Sequence, residues 1–188
     1  MKHSPKHRNP DDKETEVSEV PTPLHRSLEG IPFDDCRVCS RLFPKLGIPY
    51  AINKQFKDGR LVSENAVCQS CRDEKRAVLS KESYAKVMAF VKSISDRKED
   101  ADSDHSEDCA CCYKPKDELS DYALLAVLEE ERLQAERPPV VICADCLDDI
   151  PLSKDSSTQL FEDSRGMAIF TSEEQSTETI RQLKLELL

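Results

Sequence analysis

Apolar residues along this chain fall in short clusters between long polar runs, and most clusters carry a readable period. Tyr50 to Phe56 and Leu61 to Val67 flank Asp58-Gly59, a dipeptide suited to a tight hairpin turn, so the pattern predicts two paired strands. Tyr50, Ile52 and Phe56 would share one face. Pro44 and Pro49 argue against a long helix before them. Residues 72–95 read as helical, because Tyr84, Val87, Val91 and Ile94 recur at one-face spacing with Met88 beside them. Lys75, Lys81, Lys86 and Lys92 lie along the same segment. Farther on, Ser120 is placed to cap a helix, with Leu119 and Leu124 as a hydrophobic staple and Leu124, Leu125, Val127 and Leu128 as its apolar side. Pro138-Pro139 would end it, and Val140 to Ile142 would form a short strand. Ile180, Leu183 and Leu187 give the last stretch, Thr179 to Leu188, a possible helical face.

The polar runs between these clusters divide the chain. Residues 1–31 are punctuated by Pro5, Pro10, Pro21 and Pro23 and have little to bury, so a disordered head is expected. Residues 32–78 would form a first module and 79–95 a linking helix. Residues 96–108 are an acidic run expected to act as a flexible linker. A second module would occupy 109–150, and 151–188 would be a mostly disordered tail ending in the possible helix.

Composition changes the picture by limiting the core. Of 188 residues only 5% are aromatic, none is Trp, and 34% are charged; mean hydropathy is -0.60. Modules of under about 40 residues ordinarily need a staple beyond their own hydrophobic core. The net charge of -10 is unevenly spread. Residues 36–98 hold 14 Lys/Arg against 6 Asp/Glu, whereas residues 99–146 hold 4 against 14. A basic first half and an acidic second half would meet different partners, or each other.

The cysteines supply the staple. Eight of nine fall into four Cys-x-x-Cys pairs: Cys36 and Cys39, Cys68 and Cys71, Cys109 and Cys112, Cys143 and Cys146. The intervals between pairs are 28, 37 and 30 residues. A two-residue spacer lets both sulfurs of one turn face one ion, and two such turns complete a four-thiolate shell. Two structural zinc ions are therefore expected, one per module, and no stable fold without them. Cys111 is left over as a spare thiol. The first residues carry no apolar leader segment and no run approaches a membrane span, which favours reduced thiols over disulfides. The predicted class is α+β, with two small tandem zinc-binding modules of treble-CxxC type joined by a helix and an acidic linker.

Nothing in the pattern suggests catalysis. The four His lie in the head or the acidic linker, away from any rigid nucleophile, and full four-thiolate sites would leave no open coordination position. Only residues 36–98 are basic enough for nucleic acid, and they lack interleaved aromatics. Two alternatives retain the zinc: a cross-braced ubiquitin-ligase domain, in which pairs one and three share a metal, and a zinc-dependent nucleic-acid-binding transcription regulator. The 37-residue gap and the likeness of the halves disfavour the first, and the acidic second half the second.

The whole constellation resembles the papillomavirus early protein six family, transforming zinc proteins with two Cys-x-x-Cys modules at closely similar intervals. Short words agree: Asn65-Ala66-Val67-Cys68 before the second pair, Leu79-Ser80-Lys81-Glu82-Ser83-Tyr84 at the linking helix, and Cys112-Tyr113-Lys114-Pro115 after the third pair. The match covers about residues 33–150. Asp108 stands where mammalian members usually carry Arg, and the Trp that usually precedes the fourth pair is missing, as in a divergent member from a non-mammalian host. The resemblance implies a viral early adaptor of the host nucleus and cytoplasm, without enzymatic activity of its own. Such a protein captures Leu-rich, LxxLL-type acidic helices of host proteins, redirecting ubiquitin ligases or blocking transcriptional coactivators. On that reading Lys54, Arg60, Tyr84, Val87, Met88 and Val91 are the candidate peptide-binding residues; neither nucleic acid nor membrane is an expected partner, and the oligomeric state is left open.

Overall fold

The computed structural model describes residues 18–43, 47–100, 107–129, 132–133, 139–150 and 181–188, with the backbone path alone at 18–19 and 96–100. A single sheet runs through both halves. Strand β1 is Ser18–Glu19, β2 is Tyr50–Lys57, β3 is Arg60–Cys68, β4 is Asp121–Glu129, β5 is Arg132–Leu133 and β6 is Val140–Cys143. Their order is β1-β5-β4-β2-β3, with β6 also on β4. Helices are α1 (Gln69–Ala77), α2 (Lys81–Asp100), α3 (Ala144–Asp148) and α4 (residues 181–187).

The predicted hairpin forms as read. Asp58 and Gly59 both have positive φ, 49° and 70°, the backbone that a two-residue turn matching strand twist requires. Lys57 pairs Arg60 beside the turn, and Tyr50 pairs Cys68 at the far end.

The expected helix after Ser120 is a correction: residues 121–129 are β4, the central strand. Ala and Leu favour helix locally, but here tertiary pairing prevails. One edge of β4 pairs with β2 from Asp121 to Leu128, and its other edge is shared by β6 and β5. Its side chains alternate between two cores on opposite faces. Ala126 and Leu128 enter a first cluster with Leu24, Phe33, Phe43, Tyr50 and Ile52. Ala123 and Leu125 enter a second with Leu79, Val87, Ile94, Ile142, Leu147 and Ile150. A strand buried on both faces loses the polar alternation that would have marked it, so a continuous apolar run is its natural sequence.

Strands β2 and β4 are equivalent members of the two halves. Each hydrogen-bonds, near its start, to the strand that delivers a Cys pair: Tyr50 lies opposite Cys68, and Tyr122 opposite Cys143. Their mutual pairing is antiparallel and nearly two-fold: Tyr50 faces Leu128, and Phe56 faces Tyr122. The latter rings stack 4.7 Å apart across the seam. Each core therefore draws on both halves.

Three further expectations need adjustment. The helix read over 72–95 is two helices, because Ser80 accepts the Ser83 N–H at 3.2 Å and caps a new start. Helix α2 continues to Asp100, so residues 96–100 of the expected acidic linker are helical and 101–106 lie outside the described residues. Within the expected disordered head, residues 18–31 are ordered: β1 pairs β5, and Leu24 is buried in the first core. The segment is docked by the buried leucine, the edge strand and polar contacts of Arg26 with Asp34 and Ser27 with Glu64, none of which leaves a periodic signal. Residues 1–17 and 151–180 lie outside the described residues.

Candidate metal centres and a helix-filled groove

Each Cys-x-x-Cys knuckle is built by the same hydrogen bonds. The Ser40 N–H donates to the Cys36 carbonyl at 2.7 Å, and the Cys36 N–H to the Arg41 carbonyl at 3.0 Å. In the second half Tyr113 N–H donates to the Cys109 carbonyl and Cys109 N–H to the Lys114 carbonyl, both at 2.9 Å. Ser40 and Tyr113 both have positive φ, 57° and 60°, which turns the chain away after the second sulfur. The Arg37 N–H meets the Ala66 carbonyl and the Ala110 N–H the Val141 carbonyl, at 2.9 and 2.8 Å, locking each knuckle to the strand two residues before the partner pair. That pair then opens a helix, with Cys68 capping α1 and Cys143 capping α3.

The result is two sulfur tetrads filled in chain order. Cys36, Cys39, Cys68 and Cys71 form one, and Cys109, Cys112, Cys143 and Cys146 the other; all Sγ atoms within each lie within 4.8 Å. Cys39 and Cys68 Sγ are 3.8 Å apart, and Cys112 and Cys143 Sγ 3.7 Å. A tetrahedral four-thiolate shell with metal–sulfur bonds of about 2.3 Å has edges of about 3.8 Å, so the donor set fits such an ion. Outer donors repeat as well: the Cys68 N–H points at Cys36 Sγ, 3.4 Å away, and the Cys143 N–H at Cys109 Sγ, 3.3 Å away.

The electrostatics of the sulfurs call for a cation. Burial acts to raise the Cys39 thiol, but hydrogen bonds from the Arg41 backbone and the neighbouring thiols bring it down to about 7. Cys109 falls to about 3, chiefly through its contact with Cys111, whose own thiol the same contact pushes up. Burial and the adjacent sulfurs push Cys71 and Cys146 up. Four thiols this close cannot all ionise without a divalent ion among them. The leftover Cys111 is thus placed against a ligand sulfur of the second tetrad.

The second feature is a groove, and the chain fills it. Helix α4 lies against the face of the sheet that carries the second core, with Leu183, Leu185 and Leu187 all buried there beside Val87. Its polar side chains are buried too, and each meets another element. Gln182 bonds the Gln55 amide, the Lys184 ammonium donates to the Leu147 and Asp148 carbonyls at 3.1 and 2.8 Å, and Glu186 bonds Lys75. Arg37 Nη1 also lies 4.0 Å from Glu186. Arg76 of α1 donates to the Leu187 and Leu188 carbonyls at 2.8 and 3.2 Å. At the other end Arg181 forms a two-pronged pair with Asp148 at 2.9 and 2.5 Å, which holds that carboxyl below its usual range.

The candidate peptide residues divide. Val87 is fully buried against the α4 leucines. Tyr84 is 44% exposed and lines an open cleft with Asp73, Arg76, Ala77, Leu79 and Lys81. Met88 and Val91 are half-buried and Arg60 is exposed at the hairpin. The buried side of α2 is Ser83, Val87 and Ile94 with Phe90, so Val87 and Ile94 of the predicted stripe are buried while Ser83 takes the place of Tyr84. Lys54 is internal: its ammonium is held by Glu64 Oε2 at 3.1 Å, Ser27 Oγ at 3.1 Å and the His25 carbonyl, away from the α4 contacts. The residues that grip α4 outside the candidate peptide set are Arg37, Gln55, Lys75, Arg76 and Asp148. The basic charge of the first half was the advance sign of Arg37, Lys75 and Arg76; Gln55 and Asp148 had none. No family model, curated protein or solved structure matches the chain. Among the described residues no helix is long and apolar enough to cross a membrane.

Proposed function

We propose that this protein is a non-enzymatic adaptor of the papillomavirus early protein six type: two tandem zinc modules that hold a groove for short leucine-rich helices of host proteins. The observation that carries this reading is the groove's present content. A helix whose residues 181–187 bear three leucines and a glutamate sits there between α1, α2 and α3, with its glutamate on Lys75. The apolar contacts to Leu183 and Leu187, four residues apart, and the cation on Glu186 support capture of a leucine-rich helix with an acid at that position, the helix-in-groove mode of recognition. Zinc is the metal that a four-cysteine shell favours, and it serves the fold: the ions would fix the knuckles whose strands and helices wall the groove. The chain's own residues do the binding. Leu79, Val87 and Ile94 offer the apolar floor, and Lys75, Arg37 and Arg76 the positive rim.

The captured partner would be a ubiquitin ligase or a transcriptional coactivator of the host nucleus or cytoplasm. The intervals and short sequence words support the family reading, and the repeated knuckles agree with tandem modules. The test is binding of zinc-loaded protein, verified to hold two zinc ions, to immobilised acidic LxxLL peptides. Capture should be lost with Leu→Ala peptides and with Val87→Glu. Equal retention of the Leu→Ala peptides, or no retention of any by the chain either with or without residues 181–188, rejects the reading.

A further inference from the structure

Helix α4 is held as interfaces hold a peptide. Residues 182–187 are all buried, yet three of these six are Gln, Lys and Glu. Each of these is matched by a group from a different element, as recognition surfaces match them and as apolar cores do not. The helix is joined to the body by residues 151–180, and both ends of that thirty-residue connection meet where Arg181 pairs with Asp148. The connection therefore has almost no distance to span.

We propose that residues 181–188 are the displaceable resident of the groove, so that a partner helix binds only by competing with the chain's own. This deepens the adaptor reading and rests on it. A thirty-residue connection whose ends lie this close supplies an effective concentration on the order of 1 mM. With an untethered affinity in the tens of micromolar, the groove would be closed most of the time, and an outside helix would bind about 10–100-fold more weakly than to an open groove. The contacts also define the competitor. It carries aliphatic residues four apart, as Leu183 and Leu187 are, and an acid at the Glu186 position to meet Lys75 and Arg37.

The test uses the full zinc-loaded chain with a protease site introduced between residues 160 and 165, before and after cutting and removal of the released segment. The probe is a fluorescent synthetic peptide of residues 177–188, followed by polarisation, with an unrelated leucine-rich acidic peptide in parallel. The cut protein should bind the probe at least 10-fold more tightly than the intact one. A Glu186→Lys probe should fail on cut protein and recover on cut Lys75→Glu protein. Equal binding before and after cutting overturns the proposal, as does cut protein that loses zinc or native circular dichroism, which would make α4 part of the obligate core. A dimer that dissociates on cutting would place the helix in a second copy and also overturn it. If the 177–188 probe binds cut protein and foreign leucine-rich helices do not, self-occupancy stands and the host-adaptor reading falls.

Discussion

The Glu186 carboxylate is bonded to the Lys75 ammonium, 111 residues earlier in the chain. Glu186 is 3% exposed, so this contact joins the last helix to the helix that the second Cys pair opens. Removing one partner of a buried pair leaves the other charge desolvated, which costs more than the pair contributes. Lys75→Ala should therefore weaken α4 docking by about 1–3 kcal/mol. Hydrogen exchange at residues 182–188 should accelerate while protection in β2 is unchanged. Uniform acceleration across both regions would contradict a local role.

Metal removal should collapse both halves together. Each structural site is worth on the order of 10 kcal/mol of apparent folding energy, and the first core contains Ala126 and Leu128 from the second half. Cys146→Ser should lower zinc content from two per chain to one and also reduce amide protection in β2 and β3, which lie in the other half. A single-site variant whose first half keeps full protection would show that the shared sheet does not couple them.

Leu128 is fully buried in the first core, while Leu125 lies in the second beside the α4 leucines. Either change to Ala should cost about 2–5 kcal/mol in denaturant unfolding. Only Leu125→Ala should also alter binding of a 177–188 peptide to protein with an open groove. Equal effects on that binding would mean the two faces of β4 are not separate.

Arg181 depresses the Asp148 carboxyl below its ordinary value. A carboxyl lowered on docking stabilises the docked state above its free pKa, and that contribution disappears as pH falls through the lowered value. Acid would also strip the metal, so Asp148→Asn is the cleaner probe at neutral pH. The pair is partly exposed, and a loss of about 2- to 5-fold in docking is expected. An unaltered docking constant would assign Arg181 to the surface alone.

The sequence by itself determined what local chemistry can write. The Cys-x-x-Cys pairs and their intervals marked both tetrads, because a two-residue spacer is a constraint on one turn. Asp58-Gly59 marked the hairpin, because only a few dipeptides accept two successive positive φ values. The tertiary structure decided the rest. Residues 121–129 carry helix-forming Ala and Leu, and they became the central strand because β2 and β6 offered edges on both sides. The buried face of α2 was set by which residues met β4 and α4: it kept Val87 and Ile94 of the pattern's stripe and left Tyr84 exposed. The docking of Glu186 on Lys75 was invisible in sequence, since burial of a charge depends on a partner that folding brings from a distant part of the chain.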